Sequence, residues 1–139
     1  MGDNHADRVR VLQELACSLA ATVYDELGWG WREDVYREAL ALELRNAGVD
    51  CRCEVTVPVM YKQSPLSYVS VRIDMLLDSC VAVELKAVSS PLPVRAVRQC
   101  ERYVASVPDV AAGVAINFPD APGRTVEHNF QEDSVKFSV

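Results

Sequence analysis

Two short apolar runs separated by three residues confine this chain more than any other feature. Residues 68–77 and 81–88 are rich in β-branched side chains, and Asp78, Ser79 and Cys80 between them carry turn chemistry. Both runs read as strands of one hairpin. Side chains alternate along a strand, so Arg72 and Asp74 share one face, and Glu84 and Lys86 share another. A three-residue loop pairs Leu77 with Val81 and sets Asp74 opposite Glu84. A two-residue loop pairs Asp74 with Val83 and turns Glu84 to the far face. We adopt the three-residue register, which gathers two carboxylates and an ammonium on one face.

Two neighbouring carboxylates repel unless a cation or a proton lies between them. A divalent ion resolves that conflict, and Mg²⁺ suits a site of one or two carboxylates plus substrate phosphate oxygens. A lysine beside such an ion, here Lys86, stabilises developing negative charge and helps to position an attacking water. The plainer alternative for Asp74, Glu84 and Lys86 is a solvated salt bridge on the open face of a sheet.

The rest of the chain places these residues in an alternating order. Val9, Leu12, Ala16, Leu19, Val23 and Leu27 recur at helical steps and predict a helix over 6–27, ended by Gly28 and Gly30. A second helix is expected over 33–47, burying Val35, Ala39, Leu40 and Leu44, with Gly48 as its stop. Glu33 falls in its first turn, where the macrodipole alone favours an acid, and Tyr36 and Arg37 are placed beside it on the helix surface. Residues 51–61 read as a strand in which Pro58 marks an edge or a bulge, and residues 62–67 read as a loop. A third helix over 93–107 buries Ala96, Val97, Cys100, Tyr103 and Val104. Residues 110–118, apolar apart from Asn117, predict a central strand, and residues 123–139 are expected to add one or two edge strands. Helix, helix, three strands, helix, strand places the chain in the α/β (α+β) class, with a mixed sheet flanked by helices.

At 139 residues, half of them apolar and a quarter charged, residues 1–139 are expected to form one domain. No apolar run has the length of a membrane span, and the first residues lack the plan of a signal peptide, so an intracellular, cytoplasmic location is expected. The five cysteines agree: the number is odd and their spacing fits neither a disulfide framework nor a zinc site. Buried thiols acting as small apolar groups are the better reading.

Gly30-Trp31-Arg32-Glu33-Asp34-Val35-Tyr36, Arg72 two residues before Asp74, Glu84-Leu85-Lys86, and Gln99 four residues before Tyr103 stand in a fixed order. Together they resemble the GxxExxY proteins, a branch of the PD-(D/E)XK nuclease superfamily, over residues 11–118. The resemblance implies a restriction-endonuclease-like αβββαβ core. It implies that Glu33 is the helix-borne acid facing a metal, that Asp74 and Glu84 are the metal acids, and that the Leu85 carbonyl completes the shell. Lys86 would be the catalytic lysine, and Gln99 and Tyr103 the glutamine–tyrosine motif beside the substrate. Trp29, Trp31 and Arg32 depart from relatives, in which this turn is small and aliphatic.

The expected function is a Mg²⁺- or Mn²⁺-dependent deoxyribonuclease, a hydrolase of phosphodiester bonds, with catalytic Glu33, Asp74, Glu84, Lys86 and Gln99. DNA is preferred to RNA as substrate, and a homodimer would suit cleavage of two strands. Arg95, Arg98 and Arg102 recur at helical spacing beside Gln99, a stripe fit to hold a phosphate backbone with Tyr103 nearby; the alternative is a solvated helix face. A net charge of −6 opposes nonspecific binding of long nucleic acid over the whole surface. The second expectation is therefore a catalytically silent nuclease-fold module that binds a protein or nucleic-acid partner, with Trp29 and Trp31 as its contact patch.

Overall fold

A computed structural model describes residues 2–132. The elements are α1 (Gly2–Leu27), α2 (Glu33–Asn46), β1 (Cys51–Tyr61), β2 (Ser64–Leu77), β3 (Val81–Lys86), α3 (Val94–Ser106), β4 (Ala112–Asn117) and β5 (Glu127–Glu132). The strands form one sheet in the order β1-β2-β3-β4-β5, with β3 and β4 parallel and every other pair antiparallel. The parallel step is bridged by α3, as a parallel connection requires.

Local signals explain the element ends. Gly28 takes φ +75°, and its N–H donates to the Tyr24 carbonyl at 2.8 Å, which closes α1 in the left-handed cap that glycine favours. Glu33 and Asp34 occupy the first turn of α2, where the helix dipole favours acids. β3 and β4 are buried along nearly their whole length, as central strands with helices on both faces must be.

Helices α1 and α2 cover one face of the sheet. Val9, Leu12, Ala16, Leu40 and Leu44 pack there with Leu77, Val83, Leu85 and Ile116, all buried. Helix α3 covers the other face, through Tyr103 and Val104 against Ile73 and Ala82, and through Ala96 and Cys100 against Ala115. Asn117 locks the chain just beyond β3: its side-chain amide donates to the Val88 carbonyl at 3.1 Å and accepts from the Val88 N–H at 3.0 Å. The five cysteines are free thiols, two of them buried and three half-buried. Burial pushes the thiols of Cys17 and Cys51 up to about 12, so they stay protonated. No helix among the described residues is long and apolar enough to cross a membrane.

The structure departs from the expectations in several places, and Val97 of α3, expected inside, is half-buried. α1 starts at Gly2, earlier than its apolar stripe. The expected loop over 62–67 shrinks to Lys62 and Gln63, both at positive φ (48° and 68°), and β2 begins at Ser64. These two residues make a tight two-residue hairpin turn, so β1 and β2 project as a long ribbon. Tyr36, expected on the surface, is 1% exposed. Its ring stacks on Phe118 with centroids 4.4 Å apart, and its hydroxyl donates to the Gly28 carbonyl at 2.7 Å. Val35 and Ala39, expected inside, are half-buried, because Tyr36 and Ala41 take the inward positions. Pro58 sits on edge strand β1, next to a register shift between Pro58 and Met60. Of the edge strands expected over 123–139, β5 is one; residues 133–139 lie outside the described residues.

Candidate functional site

The β2–β3 hairpin has the three-residue loop. Leu77 pairs with Val81, Leu76 with Ala82 and Met75 with Val83. The ladder stops there, one step before Asp74 would meet Glu84. Asp74 Oδ2 instead accepts a hydrogen bond from the Leu85 N–H at 2.8 Å. A carboxylate oxygen thus takes the position that a strand carbonyl would occupy.

The reason lies in a kink shared by β1 and β2. Cys53 packs on the α1–α2 side, whereas Val55 and Val57 pack on the α3 side. Met75 and Ile73 change sides in the same way, so the alternation of both strands reverses at Glu54 and Asp74. Glu54 takes φ +54°, a conformation uncommon for a residue with a side chain. Such strain persists only where its surroundings hold it. Here Arg37 of α2 lies 3.4 Å from one Glu54 carboxylate oxygen and Arg72 of β2 lies 3.8 Å from the other. The simple face-sharing of Arg72 with Asp74 gives way to this arrangement: Arg72 turns to Glu54, and Asp74 reaches across to β3.

On β3, Val83 and Leu85 face α1 and α2 while Ala82 faces α3, so Glu84 and Lys86 follow Ala82. Glu84 is 4% exposed, and its Oε1 has no hydrogen-bond partner. Lys86 Nζ stands 3.9 Å from its Oε2. Burial, followed by the nearby Asp74 charge, pushes the Glu84 carboxyl up to about 8 against the opposing pull of Lys86. Asp74 is raised chiefly by burial, with the Leu85 N–H, Lys86 and Arg37 pulling the other way. Glu33, in the first turn of α2, is raised by burial and then by Asp74, while Lys86 and Arg37 oppose. Three carboxyls and one ammonium therefore act on one another.

Gln99 Nε2 donates to the Tyr103 hydroxyl at 2.8 Å, and that hydroxyl donates to the Arg72 carbonyl at 3.0 Å. Tyr103 is buried between α3 and β2, and its phenol is pushed up by burial and then by Glu84 and Asp74. Arg95, Arg98 and Arg102 lie on the outer side of α3. They line a cleft of about 470 Å³ with Gln99 and Tyr103, separate from the carboxylate cluster.

Sequence reasoning placed Arg37 beside Glu33 but gave it no part in the site, and it missed Glu54. Arg37 follows Glu33 by four residues and so shares its helix face, a signal that could have drawn it in. Glu54 offered none, because its position depends on the kink. Among the described residues no group of three or more His, Cys, Asp or Glu side chains forms a ready-made metal cage. The donor chemistry still fits a hard divalent cation, since Mg²⁺ takes one or two carboxylates and completes its shell with water and phosphate. The unpartnered Glu84 Oε1, buried beside Asp74, is the kind of atom that such an ion would satisfy.

The residue 10–129 segment matches the family model of the PD-(D/E)XK nuclease superfamily, and the chain belongs to that superfamily. Among solved structures it resembles the crystal structure of SSO0001, with a TM-score of 0.51 and 15% identity over 76% of this chain. That likeness shows the fold, a restriction-endonuclease-like arrangement of five strands and three helices. The aligned region spans about half, 54%, of the SSO0001 chain. The curated proteins give no significant match.

Proposed function

We propose that this chain is a single-domain, metal-dependent deoxyribonuclease of the GxxExxY branch, hydrolysing phosphodiester bonds. The observation that carries this reading is the buried Glu84 carboxyl, unpartnered at Oε1 and crowded by Asp74 with Lys86 alongside. Leaving a buried carboxyl oxygen unsatisfied is costly, and structures tolerate it chiefly where a ligand resolves it.

Asp74, Glu84 and the Leu85 carbonyl would hold Mg²⁺ or Mn²⁺, and Glu33 would take a water of the ion or a second ion. When bound, the ion supplies positive charge that neutralises the phosphate and the developing charge on it. The chain's own residues do the rest. The Leu85 N–H keeps the Asp74 carboxylate in place. Lys86, as an ammonium, would orient the attacking water and stabilise the negative charge developing on the phosphate, while the Glu33 carboxylate would take up the water's proton as the water oxygen bonds to phosphorus and the leaving oxygen departs. Gln99, held by Tyr103, steadies the phosphate side of the site, and the arginines of α3 draw in the backbone.

A second reading, a silent module that binds a partner, draws on Trp29 and Trp31, which are 51% and 50% exposed. Part of that exposure is structural, because the Trp31 indole N–H donates to the Leu27 carbonyl at 2.9 Å and helps to cap α1. Calorimetric titration with Mn²⁺ separates the readings: the nuclease takes up the ion, and a silent module need not. The decisive experiment is cleavage of labelled single- and double-stranded DNA with and without Mn²⁺. Wild type should cut only with metal, and Lys86→Ala should fall by about 10²-fold or more. Equal cleavage by Lys86→Ala and wild type would overturn the assignment.

A further inference from the structure

The cleft beside α3 differs in chemistry from the carboxylate cluster. Arg95, Arg98 and Arg102 form one wall. Pro58, Val59 and Met60 of β1 and Val71 of β2 form the other, where the projecting ribbon leans over the helix. No carboxylate lines it, although the chain carries a net charge of −6. Among the described residues none of the three arginines is in an ion pair. Three guanidinium groups outside any ion pair, on one side of a trough in an acidic protein, suit an anionic ligand.

The apolar wall narrows the class of that ligand. A duplex stacks its bases inside and offers this wall only sugar and phosphate. An unpaired strand exposes base faces, and it can set them against apolar side chains while its phosphates meet the arginines. At about 470 Å³ the cleft has the size of pockets that enclose small organic groups, roughly 300–1,000 Å³. Gln99 and Tyr103 line it too, and the Tyr103 hydroxyl donates to the carbonyl of Arg72, two residues before Asp74 on β2. A strand lying in the trough would therefore run alongside the β2 segment that carries Asp74.

We infer that the trough between α3 and the β1–β2 ribbon is a binding site for single-stranded nucleic acid, with phosphates on Arg95, Arg98 and Arg102 and a base against Val59, Met60 and Val71. This deepens the nuclease reading and rests on it for the meaning of the strand's path, but binding is measurable without turnover.

The test is fluorescence anisotropy of the full chain in EDTA with a labelled oligothymidylate of about 15 nucleotides and a duplex of equal length. The single strand should bind at least about tenfold tighter than the duplex, and its affinity should fall as salt rises. Arg98→Glu with Arg102→Glu, both on the outer side of α3, should weaken single-strand binding by more than about tenfold. Met60→Ser should weaken it several-fold and leave duplex binding unchanged. Equal or tighter duplex binding, or no loss in the double variant, overturns the inference. A protein that cuts DNA with Mn²⁺ yet prefers duplex loses the trough and keeps the nuclease assignment. One that grips single strands in EDTA and cuts nothing keeps the trough and loses the nuclease assignment.

Discussion

Asp74 Oδ2 accepts the Leu85 N–H at 2.8 Å, one step beyond the last backbone pairing of β2 with β3. The contact does two jobs at once. It satisfies a buried backbone donor at the point where the strands diverge, and it fixes a carboxylate beside Glu84. Fold and site therefore share one hydrogen bond, and substitution can separate them. Asp74→Asn keeps an acceptor for Leu85 and removes the charge. It should melt within a few degrees of wild type and lose Mn²⁺ binding by calorimetry. Asp74→Ala leaves the N–H without a partner, at a cost of about 1–3 kcal/mol, and should melt clearly lower. Equal melting of the two variants would show that the bond contributes nothing to folding.

Glu84 makes the opposite trade. Its folded carboxyl titrates at about 8 against an ordinary value of 4.5, so the folded state favours the protonated form. The sign follows from linkage. The protonated carboxyl is no burden below pH 4.5, and the penalty grows as pH rises from there towards the folded value. In EDTA, Glu84→Gln should therefore raise the melting temperature by about 3–10 °C at pH 8 and by little at pH 4. The same variant should lose Mn²⁺ binding and cleavage. Thermal melts at the two pH values decide it, and a Glu84→Gln protein less stable than wild type at pH 8 counts against the buried-charge account.

Local signals, two β-branched runs and a short turn between them, narrowed the hairpin to two registers, and the gathering of Asp74, Glu84 and Lys86 on one face chose the three-residue loop that the structure has. The order of elements was legible for the same reason, since helical spacing and the cap glycines Gly28 and Gly48 are local signals. Tyr36 was not. It sits three residues from Glu33 on a charged stretch, and Phe118, which covers it, arrives from the end of β4 much later in the chain. The kink was equally hidden, because the positive φ of Glu54 is held by Arg37 and Arg72, which no strand pattern brings together. Asp74 and Glu84 could thus be singled out as candidates from their spacing, while the bond that orients Asp74 could not.

The turn at the tip of the ribbon offers a stabilising change. Lys62 and Gln63 both hold positive φ, which asparagine and glycine adopt far more readily. The double substitution Lys62→Asn with Gln63→Gly should raise stability by about 1 kcal/mol. For a chain of this size that is about 3 °C in thermal melts. The tip lies outside the helix-packed cores, so Mn²⁺ binding should not change. A lower melting temperature would mean that the lysine or glutamine side chain contributes more than the backbone relief.

Asp78 supplies the acid limb of the stability curve. It opens the β2–β3 turn at φ +49°, and its carboxylate accepts the Asp50 N–H at 2.9 Å and pairs with Arg8 of α1. Burial alone would raise its carboxyl, but the Arg8 guanidinium and the Asp50 N–H outweigh it and hold it below the ordinary 3.8. For a depressed carboxyl the stabilisation is present above the unfolded value and disappears as pH falls through the folded one. Asparagine tolerates the same backbone and keeps an acceptor for Asp50, so Asp78→Asn removes little beyond the charge. At pH 7 it should cost about 1 kcal/mol, near 3 °C. The gap to wild type should narrow as pH drops below about 4 and close near pH 2. Arg8→Met should show the same convergence, because it removes the other half of the pair. A gap that stays constant from pH 7 to the acid limit would trace the loss to turn geometry and exclude the ion pair as its cause.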